Sequence, residues 1–443
     1  MRNRALFLLC AALLCAPLFA KVIGINVVLN TPLTGVVLTD LERFGKVRDV
    51  VPEIRAVTLQ ADSSRLAAIR ALPYVVAANP DVERKGGPVK TVAASNFGNG
   101  INTWNLDAIN VTDFPSGNTR QVTQDGAGVY VAVLDTGLLN SWRQYYPQER
   151  IAVEYAKSFG GGGGENGNIS EQPDKWERDQ NSHGTHVAST ILGYSLRGTS
   201  VTLVNGVAPM ATVIPVKVLN QNGSGWSSVI ARGIVYVADL KAGPLAGKPV
   251  VINMSLGGSE LDGMEKTAID YAVSQGVIIV ASAGNTGPKG GMDYPGAYAP
   301  VISVAASGWT GEWLPAGNSA WWRNRDVADP TNLGHFYITD FSSRAMPGQD
   351  LDVAAPGSWV VGPCQTNSGQ LSYYFLGGTS MASPHVAGIV ALMAQKNPNL
   401  TAAGAESILE SAATPFPAGS WGADAAGAGL ITADAALAAT PTP

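Results

Sequence analysis

The chain has 443 residues, a net charge of −5, 46% hydrophobic and 14% charged residues, and 51 glycines. That length accommodates more than one domain and a sizeable core, and the composition excludes a disordered chain. No basic patch points to nucleic acid as a partner.

Residues 1–20, MRNRALFLLCAALLCAPLFA, set Arg2 and Arg4 before an apolar run too short to span a bilayer comfortably. This is the pattern of a secretory signal cleaved near Ala20. The expected location is therefore extracellular or periplasmic, with no membrane attachment once the signal is gone. Leu9 and Leu14 precede Cys10 and Cys15, where a lipidated cysteine would follow a small residue. With those two cysteines removed, Cys364 is the one remaining, so no intramolecular disulfide can form. Stability must come from core packing or bound ions, and Cys364 reads as a buried small residue.

Residues 21–95 form a small α+β unit. NVVLN, IRAVTLQ and YVVAA read as strands; TDLERFGKVRDVV and SSRLAAIRAL read as helices. The following RKGGPVKTVAASNFGNGINT (84–103) is rich in Gly, Asn and Ser and reads as an exposed linker. The second unit covers 96–443. Its buried runs GVYVAVLDTG, ATVIPVKVLN, PVVINMSLGG, GVIIVASAGN and VISVAASG alternate with helical stretches. That rhythm predicts an α/β fold with a doubly wound, mostly parallel sheet. Sites in such sheets lie beyond the carboxyl ends of the strands, where Asp135, Ser255 and Asn285 fall. Residues 158–180 read as a flexible charged loop. Residues 307–341 read as an insertion crowded with Trp309, Trp313, Trp321 and Trp322, either a satellite core or a substrate contact. Residues 21–95 hold ten Lys/Arg and seven Asp/Glu, residues 96–443 seventeen and twenty-seven. Opposite signs favour docking of the two units, weakly because of screening.

A serine hydroxyl is a poor nucleophile until a base takes its proton, and that base needs an orienting group. There are four histidines, at 183, 186, 335 and 385. Asp135 ends the buried run VAVLDTG, where a carboxylate must be hydrogen-bonded. His183 sits in NSHGTHVAST. Ser380 opens a small-residue helix in GGTSMASPHVAG, after Gly377 and Gly378, which let other backbone come close. His186 and His385 read as structural histidines. The order Asp, His, Ser separates this set from the other two common triad orders.

These three blocks resemble the signature blocks of the subtilisin-like serine proteases, in the same order, and the likeness covers residues 104–435. The unit at 21–95 is similar to that family's ferredoxin-like propeptide, an intramolecular chaperone and inhibitor. The resemblance implies Asp135 as orienter, His183 as general base and then acid, Ser380 as nucleophile and Asn285 as oxyanion donor. It implies that Gly223, Ser224 and Gly225 on one side, and Ser255, Leu256 and Gly257 on the other, pair with extended substrate backbone. Ala283 and Gly284 adjoin Asn285 in the same site. It further implies a secreted, monomeric endopeptidase acting on proteins or peptides, with no cofactor for catalysis and made as a self-processing zymogen, its junction between 85 and 100.

Departures from the pattern matter. Ser189 stands where the family has Gly. The stretch after Asp135 lacks the usual His-Pro-Asp, so the ligands of any structural calcium are not identifiable. Asp293, counted back from Tyr294-Pro295, falls at the base of the pocket for the residue before the scissile bond, or points to solvent. At the pocket base it favours Lys or Arg there, and Lys85 or Lys90 then suits self-processing. A catalytically inactive peptide-binding protein of the same fold is the alternative.

Overall fold

The computed structural model describes residues 21–94, 104–113, 119–159, 171–196, 204–312, 327, 329–365 and 372–443. The signal sequence, residues 160–170 of the charged loop, and Trp313, Trp321 and Trp322 lie outside the described residues.

The N-terminal unit runs β1 (Val22–Leu29), α1 (Gly35–Glu42), β2 (Gly45–Val51), β3 (Ala56–Asp62), α2 (Leu66–Arg70) and β4 (Val75–Pro80). Its antiparallel sheet has the order β2-β3-β1-β4, the split βαβ arrangement. The predicted helix over 39–51 is in fact the end of α1 followed by β2, because the run VRDVV meets β3 in register (Val50 opposite Val57). Strand alternation divides β1 between two environments. Ile25, Val27 and Leu29 join Leu41, Leu59 and Ile69 in the unit's own core. Val28, with Val51, Ile54 and Ala56, enters the core of the larger unit.

Two further strands follow where a linker is expected: β5 (Glu83–Lys85) and β6 (Lys90–Ala94). They pair with the larger unit, and Arg84 is fully buried. The exposed-linker reading is therefore wrong for 84–94. Its Gly and Pro residues mark chain that lies extended against another surface, not chain free in solvent.

The larger unit contains β7 (Tyr130–Asp135), β8 (Lys157–Ser158), α3 (His183–Leu192), β9 (Thr212–Lys217), β10 (Ser224–Trp226) and α4 (Ser227–Ala242). After these come β11 (Val250–Met254), α5 (Gly263–Ser274), β12 (Val277–Ser282), β13 (Ile302–Trp309), β14 (Phe336–Ile338) and β15 (Val353–Pro356). β16 (Val360–Pro363), β17 (Tyr373–Gly377), α6 (Thr379–Lys396) and α7 (Ala402–Ala412) follow. The central sheet has the order β8-β9-β7-β11-β12-β13-β14, with β15 also beside β13. Its pairings are parallel except for β14. Val131 and Val133 of β7 face α3 and α6, whereas Ala132 and Leu134 face α4 and α5, so both sides are covered. The chain leaves β7 toward β9 on one side and β11 on the other. This switch of direction opens a crevice at the carboxyl end of β7.

The units dock through buried polar contacts, with ion pairs between them at Arg84–Glu265 and Asp49–Arg232. Asn26 Nδ2 donates to Asp81, Asp262 and the Ser227 hydroxyl at 3.1, 2.8 and 3.2 Å. Asp81 also accepts from the backbone N–H of Ser228, at the start of α4, at 3.0 Å.

Trp309 stacks on Trp104 with ring centroids 6.4 Å apart, in a satellite core with Val327, Leu333 and Phe336. The charged loop is structured at its far end, where Trp176 and Asp179 are buried. Cys364 is a buried free thiol, pushed up to about 11 by burial.

Candidate active site

Asp135 ends β7 at the crevice, and His183 opens α3 beside it. The imidazole Nδ1–H donates to both oxygens of the fully buried carboxylate, at 2.8 and 3.0 Å. The N–H of Thr136 is a second donor, at 2.6 Å. Burial opposes charge on the His183 ring, but the carboxylate and its hydrogen bond outweigh it, and the ring's pKa lies above the usual imidazole value. The neighbouring glycine is sterically required, since a Cβ on Gly184 would come within 2.4 Å of the Gly137 carbonyl oxygen.

One contributor escapes sequence reasoning. Asp179 accepts from the N–H groups of Asn181 and Ser182 at 2.9 and 2.8 Å and from the Thr185 hydroxyl at 3.1 Å. It thus anchors the turn ahead of His183, where Ser182 sits at φ 73° with no side-chain cap of its own. Lys217, whose Nζ donates to the Thr136 carbonyl at 2.5 Å, supplies the compensating charge. The signal available in the sequence was an acid four residues before the histidine, submerged in a run of charged residues.

Ser380 is the second residue of α6, so its N–H lacks an intrahelical acceptor. Ser380 is 2% exposed, and its Oγ–H donates to the Ser255 carbonyl at 3.3 Å. The Ser255 hydroxyl returns a bond to the Ser380 carbonyl at 2.8 Å. His183 Nε2 is buried without a partner, so the carboxylate–imidazole link is formed and the imidazole–hydroxyl link is not. Asn285 Oδ1 accepts from the N–H and hydroxyl of Thr379 at 2.9 and 3.0 Å. That fixes the amide with Nδ2, a donor, as its free end beside the start of α6.

His186 Nε2–H donates to the Val360 and Tyr374 carbonyls, at 3.1 and 3.3 Å, and burial depresses its pKa to about 3. His385 bridges Met381 and Asn105 at 2.8 and 2.7 Å and is depressed to about 4. Both are packed structural residues. Ser189 tucks its hydroxyl onto the His186 carbonyl at 2.6 Å, under Gly362.

The expected cleft edges are occupied by the chain's own segment 83–90. Ser224, Gly225 and Trp226 pair antiparallel with Lys85, Arg84 and Glu83. On the other side Lys85 and Gly257 exchange both backbone hydrogen bonds at 2.9 Å. Gly86 N–H donates to the Gly223 carbonyl at 2.8 Å, and Val89 N–H to that of Gly377 at 2.7 Å. A Cβ on Gly86 would lie 2.7 Å from the Ser255 oxygen and 3.4 Å from His183 Cε1. The backbone at Gly87 and Pro88 then passes Gly378, where an added Cβ would meet it at an ordinary 3.7 Å. Beyond it, Lys90 reaches Asp340 at 3.3 Å and lies over the Phe341 ring.

Leu256 is buried behind its edge. Asp293 is half-buried between Gly257 and Gly284, its N–H on the Ala283 carbonyl at 2.9 Å. Burial raises its carboxyl, which lines the same pocket as Gly86, Gly87 and Asn285. It does not point away to solvent. Lys85 lines that pocket too but is exposed and pairs with Glu83 at 3.3 Å, and the buried basic residue of the segment is Arg84.

Residues 126–432 match the profile of the Subtilase family. The chain belongs to the subtilase family. It is 34% identical over 286 residues to a subtilisin of Bacillus sp. (strain TA39), covering 62% of this chain and 59% of that protein. To fervidolysin of Fervidobacterium pennivorans it is 30% identical, over 94% of this chain and 56% of the relative. An extracellular serine proteinase of Thermus sp. (strain Rt41A) is 31% identical, over 82% and 72%. The crystal structure of fervidolysin, described as a keratinolytic enzyme related to subtilisin, superposes with a TM-score of 0.69 at 25% identity, covering 96% of this chain and 62% of that one. This subtilase thus spans a little under three fifths of the first two relatives. The subtilisin-like α/β architecture read from the sequence is the observed one. No helix among the described residues is long and apolar enough to cross a membrane.

Proposed function

We propose that this subtilase is an exported serine endopeptidase made as a self-processing zymogen. The observation that carries the reading is the buried Asp135–His183 pair, with its unpartnered Nε2 at the cleft through which residues 83–90 run. A hydroxyl needs a base to become a nucleophile, and an imidazole held by a carboxylate through Nδ1 keeps Nε2 available for that proton. In the proposed reaction Ser380 Oγ swings from the Ser255 carbonyl to His183 and attacks the substrate carbonyl. His183 takes the proton and returns it to the leaving nitrogen. The Asn285 amide and the Ser380 N–H then hold the negative oxygen, beside the N-terminus of α6, and water releases the acyl group.

The substrate is an extended peptide, received between 223–225 and 255–257 as an added strand. Residues 21 to about 87 act as the intramolecular inhibitor, since β5 already takes that place. Names of relatives and the pattern at 1–20 support export. A structural cation fits at Asp350, Asp352 and Glu406, which bring one oxygen each within 4.8 Å of one another. Asp352 Oδ1 is buried without a partner, and hard carboxylate oxygens suit calcium. The deciding experiment is cleavage of a chromogenic peptide together with N-terminal sequencing of the product. Ser380→Ala should abolish both; an unprocessed, inactive wild-type chain would favour the peptide-binding alternative.

A further inference from the structure

We infer that Glu265 makes the cleft selective for a guanidinium at the position Arg84 occupies, three residues before Gly87. The inference rests on the endopeptidase reading and specifies its substrate. Along β5 the side chains alternate. Glu83 and Lys85 face solvent, where they pair with each other at 3.3 Å, while Arg84 points into the protein. Its side chain is 0% exposed, as is that of Glu265.

The guanidinium is read on two edges. Nε lies 3.2 and 3.1 Å from the two Glu265 oxygens, Nη2 lies 2.5 Å from Oε2, and Nη2 also donates to the Glu260 carbonyl at 2.9 Å. A planar fork meets a carboxylate this way; a lysine ammonium matches only one of the two edges. The pocket is shaped for it. A Cβ on Gly258 would stand 2.8 Å from Nη1. Asp262 and Asp293 add to the negative potential at Arg84.

Glu265 itself is placed by the helix it begins. Asp262 caps α5 and accepts from the N–H groups of Met264 and Glu265 at 2.7 and 3.1 Å, which fixes the first turn. Burial pushes the Glu265 carboxyl up, and Arg84 is the cation that offsets it. An acid buried at the wall of a peptide-binding cleft is costly unless its occupant brings the charge. Because the pair is made by a segment bound through main-chain hydrogen bonds, any extended peptide in the same register presents its own side chain to Glu265.

The test uses the processed full-length product and quenched peptides identical except at the Arg84 position, which carries arginine, citrulline or norleucine. Citrulline keeps the shape and removes the charge. Desolvated charge pairs carry large couplings, so arginine should exceed citrulline in kcat/KM by about tenfold or more. In Glu265→Gln that ratio should fall to within about twofold. The ratio is internal to each preparation, so it does not depend on how much protein folds. Equal cleavage of the arginine and citrulline peptides by active wild-type protein overturns the inference even if Glu265→Gln cannot be made, as does a ratio unchanged in Glu265→Gln.

If wild-type protein cuts no peptide, the endopeptidase reading fails, and the pocket is tested without turnover. In the full-length Ser380→Ala chain, Glu265→Gln should speed cleavage by added trypsin after Arg84 by about tenfold or more, with the far-UV spectrum unchanged. An unchanged rate overturns the inference.

Discussion

Arg84 and Glu265, 181 positions apart in the chain, form a fully buried ion pair across the cleft in which Ser380 stands. The same segment brings Gly86 against His183 and Ser255 and carries the backbone past Gly378. The chain therefore fills its own candidate active site with an extended segment paired on both edges.

The first concerns protonation. His183 must be neutral to act as a base, and its pKa lies above 6.5 because of Asp135. Activity of the processed protein should rise with pH through an apparent pKa above that value. Asp135→Asn should lower kcat by a factor on the order of 10⁴ and move the acid limb of the profile downward. A kcat/KM profile across pH 5–10 for both proteins checks this.

The second concerns the oxyanion. The Asn285 amide is fixed by Thr379 before any substrate arrives, so its donor needs no reorganisation as charge develops. Asn285→Ala should cost roughly 10²–10³ in kcat with little change in KM. A comparable loss in KM would assign Asn285 to ground-state binding instead.

The third concerns release of the N-terminal unit. Burial at the docking surface raises the Asp81 carboxyl to about 6. Its pKa is higher docked than free, so docking takes up a proton. The contribution of this group is fully present below the free value of about 4 and is lost as pH rises through about 6. Dissociation of residues 21–87 after processing should accelerate from pH 4.5 to pH 7, and Asp81→Asn should flatten that dependence. Release kinetics followed by gel filtration would decide it.

The fourth concerns the junction. The backbone that passes Gly378, at Gly87 O, Pro88 Cα and Val89 N, includes the Gly87–Pro88 bond, and the proposed cut is there. Proline makes that bond a tertiary amide and ties the leaving nitrogen into a ring, which hampers its departure. Pro88→Ala should speed self-processing severalfold, read from the appearance of the mature N-terminus. Unchanged timing would place the cut elsewhere.

The fifth concerns the acidic group at Asp350, Asp352 and Glu406. A cation present at a hundred times its Kd adds about 2.7 kcal/mol of stability. Chelation should lower the Tm by several degrees and calcium should restore it, while Asp352→Asn should remove the difference.

Much of this protein is legible in its sequence because the signals are local. The apolar runs before Asp135, Ser255 and Asn285, the small-residue helix after Ser380, and the elements of 21–80 other than β2 each follow from side-chain period and backbone preference within about ten residues. Asp135 could be singled out because a carboxylate ending a buried strand needs a partner, and His183 is that partner. The tertiary structure alone decided the rest. Gly-Gly-Pro-rich chain at 84–94 reads as a linker, yet it forms two strands because partners at 224–226, 257 and 373–377 await it. Asp179 and Glu265 look like ordinary surface charges until folding buries them. Which cation meets which anion depends on where distant segments cross, and no property of either neighbourhood encodes that.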